Sequence, residues 1–450
     1  MIEHVAIIGA GFSGTLQAIN LLRHNGPRAT LIERAPVAGE GLAYGAARPD
    51  HLLNVRAANM SALPDDPGHF VLWLEARGVA DAASAFIPRV TYGEYLRDQL
   101  DAAIARAGSR LSVRHGAVID AEAYGEGARL MLDDGTTLDA DAAVLAVGNL
   151  PPHDPPGLDP DALPGDLYAG DPWAGEVAAG LGADDTVLVI GTGLTMIDTV
   201  LTLEAAGYAG RIVALSRRGL VPRGHEPGQN WRKLDERPRE RPADLLARVR
   251  ARGRDIGWRQ AVDELRPFTQ AMWANACDAD RARFLRHLRP WWDVHRHRLA
   301  PSVAGRIDAM MARGQLRIVA GKTLGFEAVD GGAHVTWRPR GADDAEGMTV
   351  RRVINCTGPL GDLSRTDDPL LTRLRDRGTI RADAARIGID VDASARTIDR
   401  GGKANDWLYA LGPMTRGAFW EIVAVPDIRT QTWTLARRLS NAHWVGGEGL

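Results

Sequence analysis

The chain has very little cysteine, almost no lysine and no long apolar run. Cys277 and Cys356 are the only cysteines among 450 residues, far apart and in no C-x-x-C arrangement. Their scarcity excludes a disulfide framework, points to a reducing, cytoplasmic setting, and removes the dithiol that a flavin-disulfide reductase needs beside its flavin. No stretch approaches the roughly 20 apolar residues of a membrane span. The opening MIEHVAIIGAGFSG has no basic region before its apolar run and no small-residue cleavage site, so it reads as a first strand and not a leader. The formal net charge is only −3, which leaves no bulk field for nucleic acid. Lys233, Lys322 and Lys403 are the only lysines, so the positive charge is almost all arginine, most of it expected to be solvated surface. What is present is 45% hydrophobic and 25% charged residues, the balance of a soluble globular chain long enough for two or three domains.

A short apolar run, residues 4–8 (HVAII), leads into Gly9-Ala-Gly11-Phe12-Ser13-Gly14 and then into apolar residues at helical spacing from Thr15 to Leu22. This is strand, glycine turn, helix. Gly9 permits the tight turn, Gly11 lets a pyrophosphate approach the backbone, and Gly14 lets helix and strand pack closely. The diphosphate then rests on the helix N-terminus, where free N–H groups and the helix dipole favour negative charge. A second strand, Ala29 to Ile32, ends at Glu33, about 20 residues on, where a carboxylate can accept hydrogen bonds from a ribose diol. The same carboxylate repels a 2′-phosphate. Glycine-rich loops follow, GLAYG within Gly39 to Gly45 and then HLLNVRAANMSALPDDPGHFVLWL from His51 to Leu74. A single NAD domain would continue with a plain helix and strand; these loops suit an extended cofactor, so the first site is expected to take FAD. The run Asp141 to Asn149 reads as a buried strand that returns the chain toward that cofactor through Gly148.

A second device begins at residues 186–190 (TVLVI), followed by Gly191-Thr-Gly193 and a helix from Leu194 to Leu203, with Met196 where a third glycine would stand. Its second strand, Arg211 to Leu215, ends in Ser216-Arg217-Arg218-Gly219. Guanidiniums chelate phosphate, so this site is expected to take NADPH, with NADH the alternative if Arg217 stacks on adenine. The two devices lie about 180 residues apart with opposite charge preferences at corresponding positions. One FAD and one NAD(P)H is the natural pairing, because bound flavin accepts a hydride from nicotinamide.

Pro151 to Pro172 is rich in Pro, Gly and Asp and reads as a linker. Residues 220–315 read as a helical insertion dense in tryptophan. Its segment PWWDVHRHRLAP, Pro290 to Pro301, reads either as a lid presenting Trp292, Arg296, His297 and Arg298 to an anionic or polar substrate or as a packed core. No carboxylate or cysteine cluster accompanies His295 and His297, which argues against a metal. Strands resume at Leu316 to Val319, His334 to Arg338 and Val350 to Ile354, the last returning through Gly358. A strand at Trp407 to Pro413, with Gly412, and a helix over about Ile428 to Leu439 are expected to complete the first domain. The expected fold is α/β: two Rossmann-like dinucleotide-binding domains, residues 1–150 with 355–450 for FAD and 180–354 for NAD(P)H, the second carrying the insertion 220–315.

The motifs GAGFSG, GLAYG, HLLNVRAANMS, DPGHFVLWL, VIGTGLTMID, SRRG, DVHRHR and NCTGP, in that order, resemble the bacterial FAD/NAD(P)-binding oxidoreductases. That group includes the FAD-dependent urate hydroxylase and is similar to the single-component flavin monooxygenases. The resemblance implies FAD diphosphate at Gly9, Gly11, Ser13 and Gly14, FAD ribose at Glu33, Asn54 near the flavin, NAD(P)H phosphates at Gly191 and Gly193, and its adenosine end at Arg217. It further implies NAD(P)H oxidation, reaction of reduced flavin with O2, and oxygenation of a small substrate such as a urate-like heterocycle. Two departures stand out. Gly412-Pro413 replaces the Gly-Asp pair of many relatives, and the F-x-G-x-x-x-H fingerprint of Baeyer–Villiger and N-oxidising relatives is absent, which disfavours those reactions. A flavin reductase serving a partner or an organic acceptor, and a non-catalytic redox sensor, fit the same two nucleotide motifs. The oligomeric state is not legible.

Overall fold

The computed structural model describes residues 2–226 and 234–440. Two mixed α/β units carry the architecture, each built on a mostly parallel sheet whose strands are apolar on both faces, as burial on both sides requires. In the first strand, His4–Ile8, Val5 and Ile7 enter one core while Ala6 and Ile8 enter the other. Thr186–Ile190 does the same, with Val187 and Val189 on one side and Leu188 and Ile190 on the other.

The first sheet runs 396–398, 404–410, 142–145, 4–8, 28–33, 111–115 in spatial order. All neighbours are parallel except the edge pair 396–398 and 404–410. The helices Phe12–Arg23, Arg89–Ala107 and Val425–Leu439 bury one face. A three-stranded antiparallel meander over 118–140 and the helix Pro369–Arg377 bury the other. The second sheet runs 346–350, 332–339, 316–329, 211–216, 186–190, 352–355, 168–169. The two units therefore repeat one plan: parallel strands around a glycine turn, extended on one side by antiparallel strands.

Three boundaries differ from the sequence reading. The stretch expected to be only a linker holds the edge strand Tyr168–Ala169, which pairs in parallel with 352–355, so the second unit begins before residue 180. The insertion ends before 315: Pro301–Ala312 buries Val303, Ile307 and Met310 in the second core and is the crossover helix leading to the strand Leu316–Val329. What is inserted is stapled at its base, where Leu299 donates to the Arg223 carbonyl and His225 to that of Leu299, both at 2.9 Å. The final helix starts at Val425, one turn earlier than expected, with Pro426 in its first turn, where a missing N–H costs nothing.

Candidate functional site

At the first glycine turn each glycine answers a separate steric demand. Gly9 has φ +101°, and a Cβ there would lie 2.5 Å from the Ala146 carbonyl oxygen. A Cβ on Gly14 would lie 1.8 Å from the Gly9 carbonyl oxygen, so helix and strand approach through it. Gly11 is different: its Cβ would meet nothing nearer than Gly41 Cα at 3.5 Å. Gly11 therefore keeps space open above the helix start, and the helix has no side-chain cap to occupy its first N–H groups. The stretch Gly39–Gly45, expected as a loop but helical over Gly41–Gly45, lies over this turn, Gly39 donating to the Ala10 carbonyl at 2.8 Å. Glu33, 8% exposed, accepts from Ala10 N at 2.7 Å and Ala35 N at 2.8 Å. Those bonds fix its carboxylate at the strand end and leave lone pairs for a diol. Phe12 is core, packed against Tyr44 and Tyr92. Gly412 closes the group: a Cβ there would lie 2.4 Å from Ser13 Oγ, and its N–H is held by Gln431 at 2.8 Å. Gly148, at φ +69° with open space beside it, leaves the neighbouring strand.

The second turn repeats this. Gly191 has φ +117°, and its Cβ would lie 2.1 Å from the Cys356 carbonyl oxygen; Gly193 faces open space and begins a helix without a side-chain cap. Gly358 leaves the return strand of this unit, as Gly148 does in the first. Met196, in place of the third glycine, is fully buried in the second core. At the position corresponding to Glu33, Ser216 hydrogen-bonds Thr192 at 2.8 Å. The two following arginines separate. Arg218 donates to the carbonyls of His287 and Arg286 at 3.1 and 3.2 Å, tying the strand end to the insertion. Arg217 is exposed, its backbone carbonyl held by Arg340 at 3.2 Å. Sequence reading passed over Arg340, which lies more than 120 residues away on another hairpin.

Between the units, Arg89 pairs with Asp198 at 2.8 Å, and His51 reaches the Asp198 carbonyl and Thr202, both at 3.0 Å. Asp198 thus serves as an anchor between units, beyond any effect on its own helix. Asn54 stands at the same seam, its carbonyl 2.9 Å from His225 Nε2.

The insertion docks on the segment after Gly412. Trp292 Nε1 and Arg296 Nε donate to the two carboxylate oxygens of Glu421 at 2.7 and 2.9 Å. Trp273 stacks on Trp420 with centroids 4.7 Å apart and donates to the Gly417 carbonyl at 2.8 Å. Trp292 and Arg296 therefore face this segment, as a lid requires, with Trp292 Nε1 and Arg296 Nε spent on Glu421. Arg298 departs from the expectation. It is 6% exposed and turned inward, with bonds to both Asp263 oxygens at 2.9 Å and to the carbonyls of His295 and Arg259. It braces the insertion and is not free to meet a substrate.

Beside this seam stands a cluster of charged groups. The Asp293 and His297 side chains keep 39% and 25% of their surface accessible and stand 3.9 Å apart. Burial is nonetheless the leading influence on each, pushing the Asp293 carboxyl up and the His297 imidazole down. Arg416 is a third member: it is partly accessible, and burial lowers its guanidinium to about 10. Arg289 completes the group, 3.4 Å from Asp293. Among the described residues no group of three or more His, Cys, Asp or Glu is placed to hold a metal ion. No described helix is long and apolar enough to cross a membrane.

Residues 6–150 match the model of a family described as FAD-NAD(P)-binding. No curated protein matches the chain. Among solved structures, L-lysine 6-monooxygenase from Pseudomonas syringae is similar over 98% of this chain and 100% of its own, at 16% identity and TM-score 0.68. Ornithine N-hydroxylase from Kutzneria sp. 744 is similar over 98% and 99%, at 13% identity and TM-score 0.66. Thioredoxin reductase from T. acidophilum covers 98% and 99%, at 13% identity and a lower TM-score of 0.56. At these identities the likeness is one of fold: the two-sheet dinucleotide-binding architecture extends over the whole chain.

Proposed function

We propose that the chain is an FAD-dependent, NADPH-consuming oxidoreductase that oxygenates a small polar substrate. One observation carries the reading. Two uncapped helix starts, each opened by a glycine turn, are followed by second strands that end in opposite character, a buried Glu33 in one and Ser216 with an exposed Arg217 in the other. The residues fit the cofactors. Gly11 and Gly193 leave the space that a side chain would fill, Glu33 holds a diol, and Arg217 offers a guanidinium to a 2′-phosphate. When bound, FAD takes a hydride from the nicotinamide and passes electrons onward to O2.

The protein's own part is binding, orientation and exclusion of water. The Trp273–Trp420 stack and the Trp292–Glu421 bond close the seam between the insertion and the segment after Gly412. Asp293 and His297 stand 3.9 Å apart beside it, burial shifting each toward its neutral form, which makes them the candidates for moving protons.

Dithiol chemistry of the thioredoxin reductase kind lacks its parts here: Cys356 is buried against Thr199 and Cys277 is exposed, both unbonded. The structural neighbours favour oxygenation, since those of higher TM-score are an amino-acid monooxygenase and an N-hydroxylase. They give no support to the urate-like heterocycle that the sequence resemblance implies. The missing F-x-G-x-x-x-H fingerprint argued against N-oxidation, and the similarity to an N-hydroxylase reopens it.

The test is NADPH oxidation by the yellow, purified protein with and without panels of small amines, amino acids and purines, following peroxide release in parallel. A substrate that raises NADPH consumption while lowering peroxide release supports oxygenation. Colourless protein that binds neither FAD nor NADPH refutes the reading.

A further inference from the structure

We propose that Arg416 is the anchor for an anionic group of the substrate, a carboxylate or similar oxyanion bound between the helix Arg289–Arg296 and the segment 412–421. The inference rests on the two-cofactor reading above and adds the charge of the substrate to it.

The geometry points there because Arg296, Arg298 and Arg289 each have a carboxylate within ion-pair distance, and Arg266, which has none among the described residues, lies in the field of Asp427 and Glu421. Arg296 pairs with Glu421 at 2.9 Å, Arg298 with Asp263 at 2.9 Å, and Arg289 with Asp293 at 3.4 Å. Arg416 stands apart. Its Nε donates to the Pro413 carbonyl at 3.3 Å, and no carboxylate among the described residues pairs with it within ion-pair distance. Its two Nη groups, four N–H donors in a planar fork, have no hydrogen-bond partner among the described residues. A guanidinium in this state, half-buried and with its fork open, can take a carboxylate or similar oxyanion in bidentate fashion.

The nearby carboxylates do not fill that role. Asp383 spends its oxygens on the N–H groups of Ala385 and Ile387 at 2.8 and 2.9 Å. Asp293 is shared with Arg289 and His297. Burial raises the proton affinity of both carboxyls. Arg416 also lies four residues past Gly412, whose turn abuts Ser13 at the first nucleotide site. An anion on Arg416 is thus held close to the cofactor end of the chain, while Asp293 and His297 face it from the insertion.

The experiment uses the FAD-loaded full chain and three probe anions, formate, acetate and benzoate, with acetamide and benzamide as neutral isosteres. Binding is read from the perturbed visible flavin spectrum, with FAD content and Tm measured on every variant. The expected result is saturable binding of at least one anion, with its amide binding at least ~10-fold more weakly and Arg416→Gln losing at least ~30-fold for that anion. Arg416→Lys should recover part of the loss, since it keeps the charge without the fork. Saturable response to none of the anions, or equal binding of acid and amide, overturns the proposal. So does unchanged affinity in Arg416→Gln. Loss of FAD from both Arg416 variants at unchanged Tm overturns it in another way, by placing the guanidinium on the flavin. A wild type that holds no FAD refutes instead the reading on which the inference stands.

Discussion

Glu421 offers the sharpest test of how the insertion is held. It is one of few non-glycine residues with positive φ, +69°, and its side chain is 3% exposed while that of its partner Arg296 is 9% exposed. Replacing it with alanine leaves Arg296 buried without a counter-charge and Trp292 Nε1 without an acceptor, and breaking a buried pair from one side costs about 3–5 kcal/mol. Glutamine keeps the shape and one acceptor but loses the charge, at about 1.5–3 kcal/mol. Glycine loses the carboxylate as alanine does, yet it is released from a left-handed conformation that costs other residues roughly 1–2 kcal/mol. The expected order of stability is therefore wild type, Gln, Gly, Ala, with Gly above Ala by about 1 kcal/mol. The chain has more than one unit, so local opening is the sound measure: hydrogen exchange across residues 289–296, reported as an opening free energy. A cycle with Arg296→Met should give a coupling of about 2 kcal/mol or more. If Glu421→Ala opens within about 1 kcal/mol of wild type, or if Gly and Ala cannot be told apart, the latch is not what holds the insertion.

Gly11→Val should yield folded, colourless protein, because an added Cβ meets only Gly41 Cα, at 3.5 Å, and φ is −74°; yellow protein with full FAD content would move the flavin elsewhere. Arg217→Ala should weaken NADPH relative to NADH by about 1–3 kcal/mol, measured as the ratio of kcat/KM, whereas Arg218→Ala should instead lower Tm, since its donors are spent on Arg286 and His287. Burial lowers the imidazoles of His4, His24, His51, His69, His153, His225, His295 and His297. In each case the unfolded chain takes up the proton first, so stability should hold above the ordinary histidine value of about 6.5 and fall as the pH drops below it. His297→Gln should flatten that fall, read as Tm between pH 7 and 5.5, and an identical slope would show that His297 is solvated. Asp293 has the opposite sense, its raised carboxyl costing stability as the pH rises past the ordinary carboxylate range, so Asp293→Asn should raise Tm at neutral pH.

Both glycine turns were legible because the pattern that frames them is local: the periodicity of the flanking strand and helix encloses each turn within about 25 residues. The atoms that demand Gly9 and Gly191, the carbonyls of Ala146 and Cys356, lie far off in the chain and were not legible. The strand Tyr168–Ala169 was not legible, since two residues in a stretch rich in proline and glycine carry no period; only its partner 352–355 makes it a strand. The insertion's end was misplaced because Pro301–Ala312 and the helices before it are alike in pattern, and what separates them is which core their apolar faces meet. Arg296 and Arg298 read the same in sequence, two cations two residues apart. Glu421 and Asp263 part them, at separations of 125 and 35 residues. The pairing of Arg217 with Arg340, and of Trp292 with Glu421, had no signal in single-sequence pattern at all.

The connections between the two units have a mechanical consequence. The chain leaves the first unit after Gly148 and returns after Gly358, and the two segments touch through the antiparallel bridge between Leu150 and Leu360. Two straps joined edge to edge act as a flat band, which bends easily across its breadth and resists shear and torsion. Relative movement of the two glycine turns has to bend this band and part the pairs that span the units, Arg89 with Asp198 and Arg296 with Glu421.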